Sequence, residues 1–340
     1  MTQQENSRTL RTITLEEHYA IPALMQEPGH QLKDQAQVAQ AHSQESASMK
    51  GLLDRLYDLD DHRIAEMDAA CIDMQVLSLA APGTEQLDAH DSLALARDAN
   101  DLLAMAVKRH PDRFAGFAAL PTGVPDAAAE ELERTVRTYG FKGALINGHI
   151  RGRYLDDPFF WPILERAEAL QVPLYLHPTR PPQEVVATSY TGNYAPEVAV
   201  ALSTVAWGWH IETAAHVLRI ILGGAFDRYP RLQLIIGHMG EALPFMLPRI
   251  DLKLPRQLTK LDRPLGAYLR ENLYYTFSGF NFLPNFLNVL LQVGVDRTMF
   301  AADYPYSPME QAYTFLEQLP VSPADKEKIA HGNAERLLHL

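Results

Sequence analysis

The chain is poor in cysteine, in cationic charge and in long apolar runs, and each shortage excludes a class of protein. One cysteine among 340 residues, Cys71, rules out an intrachain disulfide and points to a reducing, cytoplasmic setting. Lysine and arginine number 30 against 42 aspartates and glutamates, a formal net charge of −12, which leaves no electrostatic footprint for nucleic acid. No apolar run approaches the roughly 18 residues of a membrane span. Residues 1–10 form a polar tail without the apolar centre of a signal peptide. No Gly-x-Gly-x-x-Gly follows the first strand pattern, which argues against a doubly wound, dinucleotide-binding sheet. What is present is length enough to bury a large core, 47% hydrophobic residues, and 13 histidines.

Short β-rich apolar runs alternate with longer helical patterns along the chain. The runs are Thr12–Glu16, Met74–Leu79, Phe114–Leu120, Gly143–Asn147, Pro173–His177, Leu232–Gly237, Leu273–Phe277 and Thr298–Ala302. Most are nearly continuous in hydrophobicity, as parallel strands buried on both faces should be. Between them lie helical patterns, of which Pro125–Tyr139 is the plainest, with proline at its first position and Gly140 just past its end. Eight strands each followed by a helix predict an α/β fold of the (β/α)8 TIM-barrel type, a single domain spanning 1–340. Residues 19–61 and 179–209 are long for simple connections and are expected as loop insertions after strands 1 and 5, on the face where barrel active sites are built.

Polar residues fall at the strand ends. The first strand closes on Glu16-Glu17-His18, the fifth on His177-Pro178, the sixth on His238-Met239-Gly240-Glu241 and the eighth on Asp303-Tyr304-Pro305. Strand alternation puts Glu16 and His18 on one face and Glu17 on the other. Two neutral imidazoles with two carboxylates make a dianionic nitrogen/oxygen set suited to one divalent ion, Zn²⁺ or Mn²⁺. Without a cation, Glu16 and Asp303 would repel and at least one should have a raised pKa. His238 is then a further ligand or an acid/base, with Glu241 placed to orient its ring. Any one strand-end histidine is more often a core or capping residue; four such ends together are not explained that way. His216 reads as structural, and His210 as part of an aromatic-rich core segment that could also line the pocket.

These residues resemble the amidohydrolase superfamily and, within it, the metal-dependent decarboxylases of hydroxylated benzoates. The resemblance covers nearly the whole chain, including Leu15-Glu16-Glu17-His18-Tyr19-Ala20, Gly140-Phe141-Lys142-Gly143-Ala144, Phe226-Asp227-Arg228-Tyr229-Pro230 and Gly237-His238-Met239-Gly240-Glu241. It implies that Glu16, His18, His177 and Asp303 hold one divalent metal, with His238 and Glu241 as the catalytic pair beside it and no organic cofactor. It further implies that Arg249 lies near the substrate or a subunit interface, and that the chain forms a homo-oligomer, a dimer or tetramer. Asn147, Tyr306 and His210 are the remaining candidates for touching an aromatic acid substrate. The family commonly reads His-Pro-Arg and Pro-Phe-Glu where this chain has His177-Pro178-Thr179 and Pro305-Tyr306-Ser307. Those departures leave the metal set intact and the ring substituents of the substrate open.

Two chemistries suit such a set. In decarboxylation, Asp303 would deliver a proton to the carboxyl-bearing ring carbon, with His238 and Glu241 supplying it. In hydrolysis of a lactone, ester or amide, the ion would lower the pKa of a bound water toward about 7 and His238 would act as base.

Overall fold

The computed structural model describes residues 10–25 and 49–340. Most of the polar tail and residues 26–48 of the expected first insertion lie outside that range. Eight parallel strands are found among the described residues: β1 (Ile13–Tyr19), β2 (Met74–Leu79), β3 (Phe114–Gly116), β4 (Ala144–Asn147), β5 (Leu174–His177), β6 (Leu234–Ile236), β7 (Leu273–Thr276) and β8 (Thr298–Met299). They pair in chain order as β1-β2-β3 and β4-β5-β6-β7-β8. Backbone bonds close both seams. Ala118 N–H donates to Gly143 O (2.9 Å) and Leu145 N–H to Ala118 O (3.1 Å), while Leu15 N–H donates to Phe300 O (3.2 Å) and His18 N–H to Tyr304 O (2.7 Å). The result is the expected barrel, with β3 and β8 shorter than their apolar runs because the chain leaves regular pairing early at the mouth.

Two apolar layers hold it. Ile13, Leu15, Val76, Leu145, Tyr175 and Ile235 fill the interior, and the C-terminal Leu338 packs against the same cluster. The alternate residues, such as Leu77, Ile146, Leu176 and Ile236, face outward to the helices. The helix Pro125–Tyr139 runs as its sequence predicts, with Gly140 at φ 71° ending it. The helix Ala89–Arg109 begins where the side chain of Asp88 accepts the N–H of Asp91 at 2.9 Å. Residues 178–207, after β5, carry two short helices, Gln183–Ser189 and Pro196–Ser203, and lead into the helix Gly208–Leu222. No described helix is long and apolar enough to cross a membrane.

Candidate active site

The strand exits are where the backbone departs from ordinary geometry. Glu16 (φ 69°), His238 (φ 51°), Ser278 (φ 47°) and Asp303 (φ 68°) all adopt the left-handed conformation without being glycine. Such strain persists only where surrounding contacts enforce it, and it gathers at functional sites. At β1 the effect is decisive. The register with β2 slips between Leu15 and Glu17, so Glu16 is the extra residue of a bulge. Ile13 and Leu15 face the barrel interior and Tyr19 the outer layer. A regular strand would therefore turn Glu17 inward and send Glu16 and His18 to the outside. Alternation alone correctly groups Glu16 with His18; the bulge is what carries both to the mouth.

There the predicted ligands meet. Donor atoms of Glu16, His18 and His177 lie within 4.8 Å of one another. Oε1 of Glu16 is 3.4 Å from Nε2 of His177 and 3.6 Å from Nε2 of His238, and Nε2 of His18 is 3.3 Å from Oδ1 of Asp303. The other Glu16 oxygen is tied down: Tyr175 and Ser278 donate to Oε2, and Thr276 lies 3.4 Å away. Burial raises the Glu16 pKa, the nearby Asp303 raises it further, and His238 and His18 oppose. Burial and the facing rings of His18 and His238 hold His177 well below its usual value, so it is a neutral donor. Oε1 of Glu16, both nitrogens of His18 and Nδ1 of His177 are buried without a hydrogen bond. Buried polar atoms are normally paired, so this convergent set fits a divalent cation, as the mixed nitrogen/oxygen chemistry requires.

Beside it stands a second trio. Glu241 bridges His238 Nδ1 (2.7 Å) and His210 Nδ1 (2.5 Å), and Trp209 Nε1–H donates to the far nitrogen of His210 at 3.0 Å. These are hydrogen-bond lengths, so the three side chains form one connected chain. Burial opposes ionisation of Glu241, but both imidazoles hold its pKa below the usual range. Burial would also lower the pKa of His238, yet the carboxylates of Glu241 and Glu16 outweigh it and push it up to about 10. His210 is thus buried, as its aromatic context suggests, but its ring serves the mouth rather than the core. The rings of both histidines rest on Phe280, at 5.1 and 5.4 Å.

Asp303 remains 16% exposed, unlike the buried carboxylates around it. It is flanked by a clamp: Glu17, fully buried, accepts the N–H of Ala302 (2.8 Å) and of Tyr304 (3.1 Å). Burial pushes Glu17 up to about 8 against those two bonds. Tyr306 packs edge-on against His18 at 5.5 Å with its hydroxyl buried and unpartnered. Asn147 pairs in register with His177 and shares its face, and its Oδ1 is likewise unpartnered. Arg249 is different: it lies exposed on the helix Leu243–Lys253, and it makes no hydrogen bond or ion pair among the described residues. Tyr175, Thr276, Ser278 and Glu17 were not singled out by sequence reasoning. The first two sit two residues from a mouth residue on their strands, a spacing that carried the signal.

An amidohydrolase family model matches residues 40–340. The chain belongs to that family. The Glu16–His18 end of β1 precedes the matched span, but whole-chain comparisons include it. This amidohydrolase is 38% identical over 346 residues to a gamma-resorcylate decarboxylase of Rhizobium sp. (strain MTP-10005), covering 96% of this chain and 98% of that one. It superimposes with a TM-score of 0.86 and 36% identity on a dihydroxybenzoic acid decarboxylase from Polaromonas sp. JS666 with bound manganese and the inhibitor 2-nitroresorcinol, covering 97% of each chain. A 5-carboxyvanillate decarboxylase from Novosphingobium aromaticivorans, complexed with manganese and a nitrobenzoic acid, gives a TM-score of 0.88 at 33% identity, over 98% of this chain and 97% of that one.

Proposed function

We propose that this amidohydrolase catalyses non-oxidative decarboxylation of a hydroxylated aromatic carboxylic acid. The observation that carries the reading is Asp303, the partly open carboxylate of the cluster, set between the ligand histidine His18 and the Glu17 clamp. Its likeness to decarboxylases over nearly its full length supports the same reaction.

Direct loss of CO₂ would leave an unstable aryl anion, so a proton must first reach the carboxyl-bearing carbon. A divalent ion, Zn²⁺ or Mn²⁺, held by Glu16, His18, His177 and Asp303 would supply positive charge for the substrate carboxylate and an ortho oxygen. Asp303, protonated as substrate binds, delivers the proton to the ring. His238, kept cationic by Glu241, replaces it, and His210 holds the far side of Glu241. The ring then expels CO₂ and regains aromaticity, with no organic cofactor and no water consumed. Tyr306, through its unpartnered hydroxyl, and Asn147 face the bound acid.

Asp303→Asn should lower kcat by about 10²–10⁴-fold while the fold is kept. Near-normal CO₂ release from that variant with metal bound would remove Asp303 from the role. Cleavage of a lactone panel without CO₂ release from hydroxybenzoates would instead establish hydrolysis.

Arg249 fits a subunit interface better than the chain's own mouth. Its helix carries Phe245 (74% exposed) and Leu252 (68%), and the neighbouring helix Leu283–Val293 adds Leu291 (82%). An apolar face of this kind suits a second copy in a dimer or tetramer, which light scattering reads directly. The single cysteine, exposed Cys71, agrees with a cytoplasmic setting.

A further inference from the structure

The largest side chain wholly buried among the described residues is a charged one, Arg63, in the helix Asp61–Ala69. Taking a guanidinium out of water is expensive, and an apolar side chain of similar volume commonly packs as well or better. Its place therefore asks for a reason beyond stability. Its N–H groups go to neutral acceptors. Nε–H donates to Asp58 O at 2.7 Å and Nη1–H to Gln75 Oε1 at 3.3 Å, while Nη2–H donates to His18 O at 2.7 Å and to Arg55 O at 3.0 Å. The flat face of the group lies over the Tyr304 ring, with Cζ 4.6 Å from the centroid.

Two of these contacts meet at the seam between β8 and β1. There His18 N–H donates to Tyr304 O at 2.7 Å. His18 brings a ligand nitrogen, Tyr304 directly follows Asp303, and Nε2 of His18 stands 3.3 Å from Oδ1 of Asp303. Regular pairing does not fix this spacing, because β1 is bulged at Glu16 and Asp303 is left-handed. Arg63 holds one strand end by its carbonyl and the other by its ring. Tyr304 is held at its far end as well, since its hydroxyl donates to Glu66 Oε2 at 2.5 Å, on the helix that carries Arg63. The carbonyls of Arg55 and Asp58 add the close of the helix Met49–Tyr57 and the turn after it, so the same group ties the described end of the first insertion to the ligand strand. A planar fork reaches partners in several directions at once; an ammonium, a point charge on a flexible stem, does not.

We propose that Arg63 is a positioning residue: by pinning the carbonyl of His18 and the ring of Tyr304 to one rigid group, it sets the spacing between the metal-facing histidine and Asp303. The part played by the acid rests on the decarboxylase reading; the hold on His18 does not.

The test uses the full chain with Arg63→Lys and Arg63→Ala, checked for folding by circular dichroism. Mn²⁺ affinity of the chelated proteins is measured by calorimetry, and CO₂ release is measured at saturating Mn²⁺ on 2-hydroxybenzoate and the 2,3- and 2,6-dihydroxybenzoates. In Arg63→Lys the Mn²⁺ dissociation constant should rise about 10–100-fold, as when a group that orients a metal ligand is lost. For any acid the wild type decarboxylates, kcat should fall about 10–100-fold while KM moves by less than about threefold. A merely structural arginine would lower the melting temperature and leave both quantities of the folded protein unchanged. Arg63→Ala opens room for free guanidinium ion, which should restore Mn²⁺ affinity there and not in Arg63→Lys, whose ammonium fills the space. Should Arg63→Ala not fold, Arg63→Lys decides alone. Unchanged Mn²⁺ affinity or unchanged kcat in folded Arg63→Lys overturns the proposal, as does a folded Arg63→Ala that guanidinium leaves uncorrected. A wild type that releases no CO₂ from any of the three acids would sink the decarboxylase reading instead, and metal affinity with guanidinium rescue would still decide the role of Arg63.

Discussion

Replacing Glu17 tests whether Asp303 is held in place by the backbone on either side of it. The Glu17 carboxyl accepts the N–H of Ala302 at 2.8 Å and of Tyr304 at 3.1 Å, and all of this is buried. Even when protonated, each carboxyl oxygen keeps an acceptor lone pair. Glutamine keeps one and sets an N–H against an N–H at the other, which should cost about 1–3 kcal/mol. Alanine strips both acceptors, roughly 2–6 kcal/mol before any cavity is counted. An unfolding entropy of about 2.1 cal/mol/K per residue over 340 residues is roughly 0.7 kcal/mol/K. The melting midpoint should therefore drop by about 1.5–4 °C in Glu17→Gln and about 3–8 °C in Glu17→Ala. Asp303, released from its left-handed φ of 68°, then loses its aim at the ring. Turnover should fall about 10–100-fold at a temperature where both variants are folded. Thermal melts by circular dichroism, with kcat and KM measured on the same preparations, give both numbers. An alanine variant melting within about 1 °C of wild type, or turning over normally, would refute the clamp.

Three further outcomes follow from the same geometry. In Gly237→Ala the new Cβ would fall 2.4 Å from Oε2 of Glu16, and Gly237 itself has an ordinary φ of −82°, so the substitution displaces Glu16 without straining the backbone; metal affinity should fall about 10–100-fold, and an unchanged dissociation constant would remove Glu16 from the ligand set. Saturating Mn²⁺ at 100 times its dissociation constant should stabilise the chelated protein by about 2.7 kcal/mol, close to 4 °C by the entropy above, and coincident melts with and without ion would count against the site. Burial pushes the Glu85 carboxyl from the ordinary 4.5 up to about 7, so it keeps its proton in the folded chain where the unfolded chain has lost it. Stability should then decline as pH rises through that window, by up to about 3 kcal/mol, and Glu85→Gln should lose that decline; parallel pH curves for the two proteins would show otherwise.

The barrel was legible because its parallel strands are buried on both faces and so read as unbroken apolar runs, and because Pro125 and Gly140 mark a helix by backbone restriction alone. The ligand set was legible because barrel sites collect at strand ends, whatever the loops do. The bulge at Glu16 was not, since a left-handed glutamate has no residue-type signature and is imposed by neighbours far away in sequence. The same holds for His210, which meets Glu241 across 31 residues, and for the hydroxyl cradle of Tyr175, Thr276 and Ser278 around one oxygen of Glu16. Arg249, expected near the substrate or a subunit interface, lies on an outer helix without a partner among the described residues, and a contact with a second copy is not written in one chain's strand pattern.

The bulge in β1 has a bearing on redesign. The last residues of that strand run one position out of phase with the rest of the barrel wall. Any procedure that rewards ideal strand geometry while keeping every residue would iron the bulge out, gain a more regular scaffold, and swing His18 to the helix side. The metal-facing arrangement thus depends on a backbone irregularity at one point as much as on residue identity. Ironing out the bulge with all residues kept would do what no single side-chain exchange at the mouth can do: leave every ligand in the sequence and take His18 out of the site.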